Sequence, residues 1–292
     1  MKKVQPQLSG KTAVYAVLGD PVEHSLSPVF QNEAFRAAGI DACYVPMRVA
    51  AKDLSAAITG LSHTSLKGFN ATVPLKEALV PLCTKLTDEA RLIGAVNTVE
   101  LDGGKIVGHN TDGRGFLESL KEETKFQPRG KKACVVGSGG AARAIICALT
   151  KAGVREIVIC NRTPAKGKQL ASDLAHKLHG MKLGSSSLRM GELSRAFEGV
   201  SLVVQATPVG LEGRGLIPLP WGVIPKGTLV ADIVYQPQLT PLLSEAKRRG
   251  LPTLGGVGML VHQGALSFEI WTGKKPDLKR MRQVVEHALA NS

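Results

Sequence analysis

Two residues of this 292-residue sequence have the chemistry and the placement to move a proton. Lys76 stands two residues past Pro74, and proline favours the first position of a helix. A helix starting there would hold the Lys76 ammonium against the positive end of the helix dipole. The charged form is disfavoured in that place, so the side chain would exchange its proton readily. Asp112 precedes Gly113-Arg114-Gly115-Phe116, where a second helix is expected. It reads equally as an N-cap and as a carboxylate that pairs with Lys76 and holds a substrate hydroxyl. Asn70-Ala-Thr72, Asn97-Thr98 and Asn110-Thr111-Asp112 fall at or near expected strand ends, and Ser25-Leu-Ser-Pro28 follows the first strand and opens a helix. Open α/β sheets bind ligands beyond the carboxyl ends of their strands. A lining of amides and hydroxyls suits a small ligand bearing several hydroxyls. Each cluster alone reads also as a cap or turn. Their recurrence is what points to a site.

A second chemistry is written in Gly137-Ser138-Gly139-Gly140-Ala141-Ala142. The apolar run Ala133–Val136 precedes it, and a helix over 143–152 is expected after it. Strand, GxGxxA and helix in this order form a dinucleotide site. The first glycine allows the tight turn, and the second lets a pyrophosphate approach the backbone. The small third residue packs helix on strand, and the phosphates meet the helix N-terminus. A Gly-rich turn without a ligand is the alternative. The next strand, over 156–160, discriminates between cofactors. An NAD site places Asp or Glu at its end to hold the ribose 2′-hydroxyl. Here Asn161-Arg162-Thr163 stands there, with Lys166 and Lys168 following. No carboxylate would repel a 2′-phosphate, and cationic and hydroxyl groups would bind one. NADP is therefore expected over NAD.

The elements that must position these groups alternate as short apolar strands and helices, the pattern of a parallel α/β sheet. Strands are expected over 13–18, 44–49, 66–70, 96–101 and 106–108, and in a second series over 133–136, 156–160, 201–206 and 228–233. The polar stretch 121–132 looks like a surface connection, so a domain boundary is expected near 111–132. The last stretch, 258–289, reads as two helices from the apolar stripes Met259, Leu260, Ala265, Leu266, Ile270 and Val284, Val285, Leu289.

Composition bounds the remaining classes. Hydrophobic residues are 43% and charged residues 21%, which excludes wholesale disorder, collagen and coiled coil. Lys plus Arg exceed Asp plus Glu by 13, a charge that favours anionic ligands or simply keeps the surface soluble. Aromatics are 4% and do not interleave with a basic run, so no nucleic-acid partner is expected. No apolar run reaches the roughly 20 residues of a membrane span. Residues 4–10 do not form the apolar core of a secretion signal. The five scattered cysteines fit thiols in a reducing cytoplasm. His176 and His179, on one helix face at a spacing of three, lack further ligands nearby, and no metal is expected.

The chain resembles the shikimate dehydrogenases. The likeness runs in order through Ser25-Leu-Ser-Pro28, Asn70-Ala-Thr-Val-Pro-Leu-Lys76, Gly94-Ala-Val-Asn-Thr98, Gly108-His-Asn-Thr-Asp-Gly113, Gly137-Ser-Gly-Gly-Ala-Ala-Arg143, Asn161-Arg-Thr163, Ala206-Thr-Pro-Val-Gly210, Asp232-Ile-Val-Tyr235 and Gly256-Val-Gly-Met-Leu-Val-His-Gln263. It implies two open α/β domains around a cleft: a substrate domain over 1–112, a Rossmann-type NADP-binding domain over 113–255, and C-terminal helices over 256–292 that return to the substrate domain. It implies the NADP-dependent, reversible reduction of 3-dehydroshikimate to shikimate, a step of aromatic amino-acid biosynthesis, by a monomer or homodimer. In the resemblance, Ser25 and Ser27 match serines that hold the substrate carboxylate. Asn70, Thr72, Asn97, Asp112 and Gln263 match hydroxyl-binding groups, with Tyr235 close by, and Lys76 with Asp112 matches the catalytic pair. Gly137, Ser138, Gly139, Gly140 and Ala141 match the phosphate loop, Asn161, Arg162 and Thr163 the 2′-phosphate clamp, and Thr207, Ile233 and Gly256 complete the cofactor set. Lys166 stands where some relatives carry a second Arg, which would loosen NADP selectivity, and Gln205 stands in place of the usual Asn. A quinate/shikimate dehydrogenase with broader substrate or NAD use is the alternative. Those relatives often alter the second serine or carry Asp after the Arg, and neither change is present.

Overall fold

A computed structural model describes residues 8–178 and 180–291. His179, and residues 1–7 on which the reading of the N-terminus partly rests, lie outside them. The chain divides into two compact units, one formed by residues up to Thr111 with those from Gln263 onward, the other by Asp112–His262.

The first unit holds β1 (Ala13–Gly19), α1 (Ser27–Ala37), β2 (Ala42–Arg48), α2 (Leu54–Ser62), β3 (Leu66–Ala71), β4 (Lys85–Leu86), α3 (Asp88–Ile93), β5 (Thr98–Asp102) and β6 (Lys105–His109). Its six strands lie in the order β2-β1-β3-β5-β6-β4. The alternation of strands and helices pointed to a parallel sheet, and this one is mixed. β2, β1 and β3 are parallel, but β5 runs antiparallel to both β3 and β6. The reason is the turn between β5 and β6. Gly103 and Gly104 both take positive φ, 53° and 83°, the conformation a two-residue hairpin demands, and a hairpin makes its strands antiparallel neighbours. One face of the sheet is closed by a core of Ala16, Leu18, Leu54, Ile58, Phe69, Leu75, Leu79 and Val99.

The second unit holds α4 (Asp112–Glu123), β7 (Lys132–Val136), α5 (Gly140–Lys151), β8 (Glu156–Asn161), α6 (Pro164–Ala175), β9 (Lys182–Ser187), α7 (Met190–Phe197), β10 (Leu202–Gln205), β11 (Leu229–Asp232), α8 (Pro241–Arg248) and β12 (Thr253–Leu254). All its strand pairs are parallel, in the order β12-β11-β10-β7-β8-β9. This is the doubly wound arrangement, and its topological switch lies between β7 and β10. The inner strands are near-continuous apolar runs because both faces are covered. α4 packs closely on α5 because Gly113 has no side chain: a Cβ there would stand 2.6 Å from the Ala144 carbonyl oxygen.

Two final helices are present, α9 (Gly256–Thr272) and α10 (Leu278–Ala290), and from Gln263 onward they belong to the first unit. The Trp271 indole N–H donates to the Val99 carbonyl at 3.0 Å. A Cβ on Gly68 would fall 2.5 Å from that indole nitrogen, so only glycine lets the ring lie on the strand. Phe268 packs on Phe35, and Tyr15 on both Phe35 and Trp271. Arg280 pairs with Glu33 across α10 and α1. Among the described residues no helix is long and apolar enough to cross a membrane, and no group of three or more His, Cys, Asp or Glu is placed to hold a metal ion. His176 is exposed just past the end of α6 rather than on its face.

Candidate active site

In the first unit Asn70, Asn97, Thr98, Thr111 and Gln263 join one hydrogen-bonded network at the carboxyl end of β3. Asn70, its penultimate residue, points inward and is 6% exposed. Its amide nitrogen reaches the Asn97 carbonyl at 3.0 Å, the Thr98 hydroxyl at 3.0 Å and the Ser267 hydroxyl at 2.9 Å. Its carbonyl oxygen accepts from the Tyr44 hydroxyl at 2.7 Å. Burial holds the Tyr44 phenol above its usual range, so it stays protonated and donates; Ser27 also bonds to it. Asn97 is held just as firmly. Its side-chain oxygen accepts from the Thr111 backbone N–H at 2.8 Å and the Thr98 hydroxyl at 3.0 Å. Its nitrogen donates to the Thr111 hydroxyl at 2.9 Å and to the Gln263 side-chain oxygen Oε1 at 3.3 Å. A buried amide is costly unless its groups are paired, and this mutual pairing fixes which way each amide points.

Ser25 and Ser27 stand at the start of α1. The Ser25 hydroxyl accepts from the Ser27 backbone N–H at 3.3 Å. Ser27 is buried and Ser25 half-buried. Thr72 follows β3, and its methyl group lies where a Cβ on Gly19 would be, 2.3 Å away, so Gly19 makes room for it.

Lys76 requires a correction. It was expected in the first turn of a helix, but residues 73–79 run as successive turns. A helix would direct the Val80 N–H to the Lys76 carbonyl. Instead Val80 bonds to Glu77, and the Lys76 carbonyl accepts from Val96 at 2.8 Å. Leu75 and Leu79, both fully buried, pin the segment to the core. The helix expected to bring its dipole to Lys76 does not form, so that argument for its reactivity falls. What the fold supplies is a half-buried ammonium whose main chain is tied to the residue before Asn97. Asp112 does begin a helix, α4, and is 2% exposed. Its chain neighbour Thr111 bonds to Asn97 as described.

Tyr44 and Ser267 are members of this network that the sequence reading did not single out; Thr98 and Thr111 stood in the polar clusters it named but were given no individual role. Ser267 had a usable signal: it stands four residues after Gln263 on α9 and so shares its face, and its hydroxyl donates back to the Gln263 carbonyl at 3.0 Å. Tyr44 carried none, since a tyrosine in a strand reads first as core.

In the second unit the glycine-rich turn joins β7 to α5. Gly137 has φ 121°, and a Cβ there would stand 2.8 Å from the Ala206 carbonyl oxygen and 3.0 Å from the Thr207 methyl. Gly139 caps α5 with no side-chain hydrogen bond, leaving the first backbone N–H groups of the helix for a ligand. At the end of β8 the Asn161 amide donates to the Ser138 hydroxyl at 2.8 Å, linking that strand to the turn. Arg162, Thr163 and Lys166 are exposed beside it. Thr207 follows β10, and Ile233 follows β11. Gly256 meets Ile233 closely: a Cβ would fall 2.3 Å from the Ile233 carbonyl oxygen. Tyr235 is half-buried two residues further on. The turn, the polar end of β8 and the small residues after β10 and β11 fit a dinucleotide with a 2′-phosphate. A separate cavity of about 680 Å³, lined by Thr124, Phe126, Lys131, Val200 and Pro225, opens at the opposite ends of β7, β10 and β11 and includes none of these residues.

Three family models match the chain in order. The shikimate dehydrogenase substrate binding domain matches residues 17–99, the shikimate/quinate 5-dehydrogenase model residues 119–208, and the shikimate 5′-dehydrogenase C-terminal domain residues 256–286. A shikimate dehydrogenase (NADP(+)) of Methanopyrus kandleri is 43% identical over 97% of this chain and 99% of its own length. A crystal structure of a shikimate dehydrogenase in complex with NADP+ superposes with a TM-score of 0.88 at 34% identity, covering 98% of this chain and 99% of that one. The shikimate 5-dehydrogenase of Thermus thermophilus in complex with NADP(H) and shikimate gives a TM-score of 0.83 at 37% identity, covering 95% of this chain and all of that one. With relatives this similar along almost their whole length, the chain belongs to the shikimate dehydrogenase family.

Proposed function

We propose that this protein catalyses the reversible, NADP-dependent reduction of 3-dehydroshikimate to shikimate. The observation that carries the cofactor choice is the end of β8, where Asn161 is tied to the phosphate turn and Arg162, Thr163 and Lys166 follow without a carboxylate. A 2′-phosphate finds charge-assisted donors there. The substrate follows from family membership and from the amide and hydroxyl network of the first unit, which matches a ring bearing a carboxylate and several hydroxyls.

When bound, the nicotinamide supplies the hydride chemistry at ring carbon C3. The chain supplies orientation and the proton. Ser25 and Ser27 hold the substrate carboxylate, and Tyr235 belongs with the hydroxyl-binding groups. Asn70, Thr72, Asn97 and Gln263 hold hydroxyls; the amide orientations of Asn70 and Asn97 are set in advance by their partners, so little ordering is needed on binding. Lys76 gives a proton to the oxygen that becomes the C3 hydroxyl in reduction and takes it back in oxidation, and Asp112 orients that hydroxyl and balances the charge. Gly137, Ser138, Gly139, Gly140 and Ala141 would take the pyrophosphate, and Thr207, Ile233 and Gly256 would complete the cofactor contacts. None of the five cysteines is in a disulfide, which supports a reducing, cytoplasmic setting. The protein acts as a monomer or homodimer, to be distinguished by sedimentation. Retention of Ser27 and the lack of Asp after Arg162 favour shikimate over quinate. The test is spectrophotometric: shikimate must reduce NADP in a saturable reaction, and failure to do so refutes the assignment.

A further inference from the structure

Gln205 and Asp232 are the last register partners of β10 and β11, and β10 flanks the switch point of the sheet. Both are 1% exposed. Neither belongs to the residues assigned above, yet both are polar groups buried where the sheet meets the cofactor. The Gln205 amide nitrogen donates to the carbonyls of Thr207 at 2.9 Å and Val209 at 2.7 Å, and lies 3.4 Å from an Asp232 carboxylate oxygen. Its side-chain oxygen accepts from the Thr207 backbone N–H. One side chain thus folds the 206–209 turn upon itself. The Asp232 carboxylate organises the neighbouring loop in the same way. It accepts from the Val234 backbone N–H at 3.0 Å and from the Thr240 hydroxyl at 2.7 Å, and Thr240 in turn caps α8. Ile233 closes the circuit, its N–H donating to the Gln205 carbonyl at 3.1 Å.

We propose that Gln205 and Asp232 are positioning residues for the cofactor, a joined pair that fixes the main chain of Thr207 and Ile233, two residues of the proposed cofactor set. This rests on reading the second unit as the NADP site. Thr207 lies against Gly137 of the phosphate turn, and the Ile233 carbonyl lies against Gly256. A shift of the 206–209 turn would therefore be felt at the phosphate turn, and a shift of Ile233 at α9. The longer arm of Gln205 in place of Asn is what lets one amide reach Val209 and Asp232 together.

The test uses the full-length protein. Gln205→Met keeps the volume of the side chain and removes its hydrogen bonds. Its expected effect is a rise of about tenfold or more in the NADPH dissociation constant, read by cofactor fluorescence. The KM for shikimate at saturating NADP should stay within about twofold, because a lesion in cofactor positioning leaves substrate binding alone. A folded Gln205→Met that binds NADPH like wild type, or one that raises both constants equally, overturns the proposal. Should that variant not fold, Gln205→Asn carries the test, with an expected rise of about threefold in the NADPH constant alone; no rise overturns the proposal. Arg162→Ala separates the two levels. If it binds NADPH as wild type does, the cofactor reading falls and this proposal with it. If it is weakened while the Gln205 variants are not, this proposal alone falls.

Discussion

Lys76 is defined by its surroundings rather than by a helix dipole. Its carbonyl is bonded to Val96, one residue from Asn97, so the segment that carries the amine is joined to the buried amide network. General acid–base work of this kind contributes about 10²–10⁴ in rate. Lys76→Ala is expected to lower kcat by at least ~10² with little change in KM; steady-state rates near wild type would remove Lys76 from the mechanism. Asp232 makes a different prediction. Burial raises its carboxyl to about 6, above the roughly 3.9 of an unfolded chain. The native state therefore binds the proton more tightly, and stability falls as pH rises through the interval from ~4 to about 6. Asn at this position carries no charge to bury. Asp232→Asn is expected to be more stable than wild type above that interval by up to ~3 kcal/mol, with the difference vanishing below pH ~4. Urea unfolding across this range checks it, and an advantage that grows on acidification contradicts it. A gain in stability paired with weaker NADP binding would mark Asp232 as a residue kept for its position.

At the scale of elements, the decisive places are close approaches of backbone. Gly256 admits no Cβ because the Ile233 carbonyl stands in its way. Gly191, near the start of α7, has nothing within 4 Å of a built Cβ. Gly256→Ala is expected to destabilise by roughly 1–3 kcal/mol and to weaken NADP binding. Gly191→Ala should be neutral or stabilising by up to ~1 kcal/mol. Denaturant midpoints of the two variants check the contrast; equal effects would mean that the Ile233 contact carries no cost. The same scale explains what could be read in advance. β1, β7, β8, β10 and β11 are apolar runs buried on both faces, and such runs announce themselves. β9, Lys-Leu-Gly-Ser-Ser-Ser, is a polar edge strand with no apolar signal, and β4 is only two residues long. Both exist because a neighbouring strand offers hydrogen bonds, which local pattern does not reveal. The glycine pair between β5 and β6 did carry the hairpin signal, but the alternation of strands and helices overrode it. In the buried network, Asn70 and Asn97 were legible as recurring polar clusters near strand ends, whereas Lys76 was singled out by a helix start that the fold does not form. Ser267 carried a signal only through its spacing from Gln263, and Tyr44 carried none, because its value lies in the amide it orients across a long stretch of chain.

For the molecule as a whole, the division of labour is between a mixed sheet that presents amides and hydroxyls and a parallel sheet that presents a phosphate turn. The excess of 13 positive charges suits a chain whose substrate is a carboxylate and whose cofactor carries phosphates, since a net positive field draws anions and is screened by salt. The most direct test of the account is the initial rate of shikimate oxidation by the wild-type protein, followed as reduced nicotinamide, with NADP and with NAD side by side. The account predicts saturable turnover with a kcat/KM for NADP above that for NAD. Absence of turnover with shikimate, or a higher kcat/KM for NAD, would contradict it.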